Sequence, residues 1–435
     1  MKKHSKLLKY LLFLLFSVIV MFLSFNRHSK SGVFNYHSEI WADKAGYYIY
    51  LPAVFNYNFN AASFPDSIAA KTGDGFRIDT INNKVITKYS CGVAILQLPF
   101  FLTANIVAIS RQSDTPGFTK THHVAINVAA VIYLLLGLFF LGQYLKKRFQ
   151  SNIVWIVLFT LFAGTNLYYY SVDETGMSHV YSFFLFSLFL FLVQKTEYFK
   201  KSRIAELLLS GIVAGLIVLI RPTNLIFLAF VLFLEIKDTT MLKARMRAVF
   251  RLKTILWLTI GFVFINIPQA AYLHYTYGSP FHYAYENETF VWTNPQLLKT
   301  WFSPNNGLFL YTPFFVIILI SLAYSTIKKS ADGRLLVLLF FVISYVFSSW
   351  WIWNFGCSFG ARSYVEYLAV FSIPLVFLFL KINSSGLVVK IVFYLMVLSF
   401  IVMNFLMTYS WDGCYYGIGD WDWDAWIGTV MSKLR

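Results

Sequence analysis

Long apolar runs separated by short polar stretches dominate the chain, and these runs set its organisation before any motif does. They recur at about 7–25, 123–144, 152–170, 179–194, 204–220, 223–234, 254–273, 307–326, 335–350, 364–380 and 388–408. Most approach the ~20 apolar residues that an α-helix needs to cross a hydrocarbon core. The pattern predicts an all-α polytopic membrane protein with about eleven transmembrane helices. Segment 223–234 is short for a crossing, so a tilted or shallow helix paired with its neighbour is expected there. Segment 91–110 is long enough to cross, but it carries Gln97, Pro99 and Asn105 and is expected to lie along the interface or dip in and return. The expected layout is a membrane domain over 1–408, with a long first external loop at 26–122 that carries interfacial helices. A later external loop covers 274–306, and an external aromatic and acidic tail runs over 409–435.

Composition agrees with that class: 58% hydrophobic and 13% charged residues, with mean hydropathy +0.62, lie outside the soluble range. The 36 Lys and Arg against 20 Asp and Glu give a net charge of +16, which would suggest nucleic acid if the charges formed one face. They fall instead in short loops. With 91–110 not crossing, the N-terminus and the loops at 146–148, 195–203, 237–253, 328–334 and 381–390 hold 22 of the basic residues and lie inside. The basic balance is therefore an orientation signal, and no nucleic-acid partner is expected.

That orientation collects the unusual residues outside. In 41–52, Asp43 and Lys44 stand side by side ahead of Gly46, Tyr47, Tyr48 and Tyr50. Here ionisable chemistry meets the water–lipid boundary, although the tyrosines and Trp41 also fit a plain interfacial belt. Asp173-Glu174 with His179, Arg221-Pro222, the 350–362 segment ending at Arg362, and the tail follow on the same side. Ionisable groups at membrane ends are functional candidates. The structural alternative is that both arginines snorkel, with Glu366 one turn from Arg362 as its ion-pair partner. A lipid-linked phosphosugar would need a cation for its phosphate, from Arg362, Arg221 or Lys44. An arginine fork grips phosphate oxygens in two places, which favours Arg362. It would also need a base such as Asp43 for the acceptor hydroxyl. His179 fits a metal, a phosphate or a capping role.

Several stretches resemble one family in order and sidedness. They are the early loop acid, Lys88-Tyr-Ser-Cys-Gly-Val-Ala-Ile-Leu-Gln-Leu-Pro-Phe-Phe, Met177-Ser-His-Val-Tyr-Ser-Phe-Phe, Leu219-Ile-Arg-Pro-Thr-Asn, Ser303-Pro-Asn-Asn-Gly-Leu-Phe-Leu-Tyr-Thr-Pro and Trp350-Trp-Ile-Trp-Asn-Phe-Gly-Cys-Ser-Phe-Gly-Ala-Arg. Together, over most of the chain to about Pro374, they look like the GT-C clan of polyprenyl-phosphate-sugar-dependent glycosyltransferases. That clan includes protein O-mannosyltransferases and lipid A aminoarabinose transferases. The resemblance implies a GT-C-like fold in a bacterial cytoplasmic (inner) membrane, with the active site on the outer, periplasmic face. The sugar would pass from a polyprenyl-phosphate donor to a lipid, glycan or protein acceptor. Asp43 matches the acid that acts on the acceptor. Asp173 or Glu174 matches the second external acid, which in some members helps hold a divalent metal; His179 would be a third ligand. Lys44 stands where protein mannosyltransferases carry a second acid, so a protein acceptor is not implied.

The competing readings are a ligase or polymerase of whole lipid-linked glycans, and a carrier or flippase for a lipid-linked or anionic solute. A carrier would place polar groups at mid-span and repeat its halves, and neither is visible here. The sequence has no P-loop, Gly-rich dinucleotide fingerprint or HExxH. The alternation in Asp420-Trp-Asp-Trp-Asp would place its acids on one face and its tryptophans on the other if the segment were extended, which fits either stacking on sugar rings or a seat on the lipid headgroups. All three cysteines fall outside; three is an odd count and leaves oxidation open, and if one pair is oxidised, Cys357 with Cys414 is the choice. The orientation can be checked with an impermeant thiol reagent. A cysteine at Ser113 should react from outside and one at Arg148 should not, and the opposite pattern would invert the topology.

Overall fold

The computed structural model describes residues 2–30, 34–109 and 115–432, with side chains from Leu11 onward in the first helix. Ser113, Ser110 at the end of the expected interfacial segment, and the last three residues of the tail lie outside the described residues. Helix accounts for 67% of the chain. Among the described residues the only sheet is the hairpin that pairs Arg77–Asp79 with Lys84–Ile86.

Among the described residues five helices are long and apolar enough to cross a membrane: Leu11–His28, Lys120–Phe149, Ser178–Lys195, Leu252–Tyr277 and Leu387–Ser410. The expected count of eleven is therefore corrected, because the other apolar segments form shorter helices, such as Ile153–Ala163, Phe315–Ile327 and Leu368–Asn383. The cause is local. The run at 152–170 stops at Ala163 and restarts at Leu167, and that at 307–326 is split at Thr312-Pro313, where proline lacks an amide proton to continue the ladder. Breaks of this kind leave backbone carbonyls without partners, which is tolerable only inside protein. At the first break Asn404, fully buried, donates its amide to the carbonyls of Ala163 (2.9 Å) and Thr165 (3.1 Å).

The chain divides into two compact units. The first comprises residues 1–136, 170–181 and 268–284, the second 137–169, 182–267 and 285–435. In the first, segment 91–110 forms the helix Gly92–Ile109 with Pro99 inside it, and the loop at 38–57 packs as two short buried helices, Asp43–Tyr48 and Tyr50–Phe55. In the second, Phe186 stacks on Phe227 at 3.7 Å.

Within the second unit, loops that charge assigns to one side are joined to one another. Arg148 bridges Glu235 (3.2 Å) and Asp332, and the Glu235 amide donates to Asp332 at 2.6 Å. The loops assigned to the other side also meet. Cys357 and Cys414 form a disulfide, Lys299 pairs with Asp420 at 3.0 Å, and Asn306 donates to the carbonyls of Asn354 (3.2 Å) and Gly356 (2.9 Å). The expected one-faced row of tail acids does not form, because the tail turns and then coils into the helix Trp423–Met431. Asp420 faces Lys299, Asp422 caps the helix by accepting from the Ala425 amide at 3.0 Å, and Asp424 lies in its first turn.

Helices Ile204–Ile220 and Leu252–Tyr277 approach backbone to backbone. A Cβ at Gly211 would stand 2.2 Å from the Leu258 oxygen, and one at Gly261 would stand 2.3 Å from the Leu208 oxygen. Gly211 and Gly215 form the small-xxx-small pattern that lets apolar helices pack without a hydrophobic driving force between them. Gly211→Val should therefore lower the melting temperature in detergent through overpacking of about 1–3 kcal/mol. Val at Gly386, which has open space around it, should leave it unchanged.

Candidate functional site

Asp43 sits on a clamped backbone. Ala42, ahead of Asp43, has φ +48°, a region that a residue with a side chain avoids unless its surroundings hold it there. They do: the Ala42 amide donates to the Thr72 carbonyl at 2.8 Å, and Gly75 lies so close that a Cβ there would stand 1.9 Å from the Ala42 oxygen. Gly46 likewise gives way to the Tyr89 ring, and the Tyr89 hydroxyl donates to Asp43 at 2.5 Å. Asp43 is half-exposed, while the five residues that complete its helix are buried.

Those buried residues include the tyrosines expected at the interface. Tyr48 is 1% exposed, donates to the Gly117 carbonyl at 2.5 Å and packs edge-on against Phe101 and Phe118. It is a core residue. Tyr47 packs at 4.7 Å on Tyr89, the ring that holds Asp43. The interfacial-belt expectation is overturned for both, because the loop folds back into its own small core.

Lys44, 4% exposed, reaches both oxygens of Glu174, at 3.1 and 2.9 Å. Gly176 makes the approach feasible, since a Cβ there would strike the Glu39 carbonyl (2.3 Å) and the Lys44 side chain (2.9 Å). Asp173 accepts from Arg27 at the end of the first helix. Burial pushes the Asp173 carboxyl up, and the charge and hydrogen bond of Arg27 only partly oppose that.

A further carboxylate, Glu39, anchors the group and was missed in the sequence. It accepts from His123 at 2.7 Å and Asn127 at 2.5 Å, and lies 2.9 Å from His28 Nδ1; Thr175 in turn donates to Asn127 at 2.6 Å. His28 Nε2 lies 2.9 Å from the Val172 carbonyl oxygen, which fixes the ring between that carbonyl and Glu39. Burial alone would raise Glu39. Hydrogen bonds from His123 and His28 outweigh it and hold the carboxyl well below the usual range. The available signals were Arg27-His28 ending the first apolar run and His123 opening the second, both ionisable groups at span ends.

His179 is fully buried, with its ring 4.7 Å from Tyr170. The acids expected beside it as metal ligands are each engaged by a cation. Among the described residues no group of three or more His, Cys, Asp or Glu side chains is placed to hold a metal ion. The residues present do not fit a metal centre.

The two arginines lie in the second unit, around one ring. The guanidinium carbon of Arg221 is 6.0 Å, and that of Arg362 5.7 Å, from the centroid of Phe355. Arg221 donates at 3.1 Å to Glu366, which is fully buried. The carboxylate expected to pair with Arg362 thus receives Arg221. No protein-family model, curated protein or solved structure matches the chain.

Glu39→Gln removes the buried carboxylate that accepts from His123 and Asn127, at a cost of about 3–5 kcal/mol. A carboxyl held below its usual range contributes stability above about pH 4.3, and that contribution fades as the pH falls through the acid range. The melting temperatures of parent and variant should therefore differ most near neutrality and converge in acid. A constant gap across pH would show that the loss is packing alone.

Proposed function

We propose that the chain is an integral membrane glycosyltransferase that moves a sugar from a polyprenyl-phosphate donor to a lipid, glycan or protein acceptor on the outer face of the membrane. The observation that carries this reading is Asp43, a half-exposed carboxylate on a clamped backbone beside buried neighbours, with the Lys44–Glu174 pair next to it. A base must be both accessible and fixed, and this residue meets both requirements.

In the proposed step Asp43 accepts the acceptor's hydroxyl proton while the freed oxygen attacks the anomeric carbon. The bond from that carbon to the phosphate oxygen breaks with its electron pair, so the sugar inverts and the polyprenyl phosphate leaves. Tyr89, donating to Asp43, holds the carboxylate in one orientation. As a separate proposal for the second unit, Arg362 beside the Phe355 ring is the cation for a donor phosphate, while Arg221 at the same ring is held by Glu366. The five long apolar helices support membrane insertion, and the disulfide supports an oxidising, outer compartment for the 350–362 segment.

The test is sugar transfer by the purified protein from a pool of polyprenyl-phosphate sugars. Asp43→Asn cannot accept a proton at neutral pH and should lose roughly 10²-fold or more in turnover while still binding donor. Arg362→Lys keeps the charge, loses the fork and should weaken donor binding. Near-parental turnover of Asp43→Asn would remove the base assignment. A parent protein that transfers no sugar from any such donor would remove the reading as a whole.

A further inference from the structure

The tail contains the helix Trp423–Met431, which has no buried residue. Its apolar side chains fall at positions 423, 426, 427, 430 and 431, the i, i+3, i+4, i+7, i+8 spacing of a single stripe. One edge of that stripe, Trp426 and Val430, is half-buried, and the helix lies against helix Leu387–Ser410. The other edge faces outward: Trp423 is 45%, Ile427 48% and Met431 42% exposed. Helix Leu387–Ser410 is itself long and apolar enough to cross a membrane, and it too presents exposed side chains, among them Leu395, Leu398 and Val402.

The segment is held firmly for a chain terminus. The Cys357–Cys414 disulfide fixes its start. Asp420 is tied twice more, to Lys299 and, at 3.0 Å, to the Asn305 amide. Trp411, 4% exposed, packs against Tyr311 and Phe359. A helix tied down on one edge while it shows tryptophan and aliphatic side chains on the other has its outward stripe placed, not left to drift.

We propose that Trp423–Met431 is a lipid-interface helix: its outward stripe of Trp423, Ile427 and Met431 sits at the boundary between headgroups and acyl chains, continuing the lipid-facing side of helix Leu387–Ser410. The inference rests on the membrane reading above. Tryptophan is at home at that depth, and an amphipathic helix lying in the plane buries such a stripe there. Between Tyr409 and Ser432 the segment has four aspartates and no lysine or arginine. Its contact is therefore apolar and not an attraction to anionic headgroups, and anionic lipid should not strengthen it.

The experiment uses the full chain in phosphatidylcholine nanodiscs, with Cys91, the free cysteine, replaced by Ala and the disulfide kept. Spin labels go singly at Ile427, at Ser432 on the polar arc, and at Leu398 as reference. Collision rates with oxygen, which partitions into lipid, are compared with those of a water-soluble nickel chelate. Ile427 should favour oxygen, at a shallower depth than Leu398, while Ser432 favours nickel, and replacing a third of the lipid with phosphatidylglycerol should not deepen Ile427. A lipid-like Leu398 with a water-like Ile427 would overturn this proposal alone. Water-like behaviour at both would overturn the membrane reading. An Ile427 label shielded from both reagents would mean that protein, such as a second copy, covers the stripe, and would also overturn the proposal.

Discussion

Taking a charge out of water costs several kcal/mol unless its partner is built in beside it, and this constraint runs through both units. Glu39, Lys44, Asp332 and Glu366 are each 4% exposed or less. Each is met by a group far along the chain: His123, Glu174, Arg148 and Arg221 respectively. Apolar helices surrounded by lipid have little hydrophobic reason to prefer one neighbour over another. The ion pairs supply that preference, because a register in which Lys44 misses Glu174, or Arg148 misses Asp332, would leave a bare charge inside the protein.

Much of the helical framework was legible in the sequence, because an apolar run long enough to span is a statement about length and composition alone. The runs at 7–25, 123–144, 179–194, 254–273 and 388–408 all became long helices. Two of the others broke at Gly164–Asn166 and at Pro313, where hydropathy is blind to backbone chemistry, while those at 204–220, 335–350 and 364–380 stayed continuous as helices of 16 or 17 residues. The Cys357–Cys414 bond was legible only as one choice among three cysteines, because a pairing depends on where loops meet and not on composition.

The candidate site was legible in part. Asp43, Lys44 and Glu174 were found because acids and bases stand out against an apolar background, and the structure brings Lys44 to Glu174. Glu39 was hidden because a lone glutamate in a polar loop looks solvated until the histidines that bury it are located. The tyrosines misled for the opposite reason: Tyr47 and Tyr48 have the composition of an interfacial belt, yet the loop around them has enough apolar mass to form a core of its own.

The broken helices carry a consequence for the surrounding lipid. Helix Lys120–Phe149 has 30 residues and would measure about 45 Å, whereas Ile153–Ala163, with 11 residues, measures about 16 Å. A hydrocarbon slab of about 30 Å cannot match both. Ile156 and Phe159 on the short helix are exposed, so in a bilayer that helix would need its continuation Leu167–Val172 to reach across, while the long one would lean.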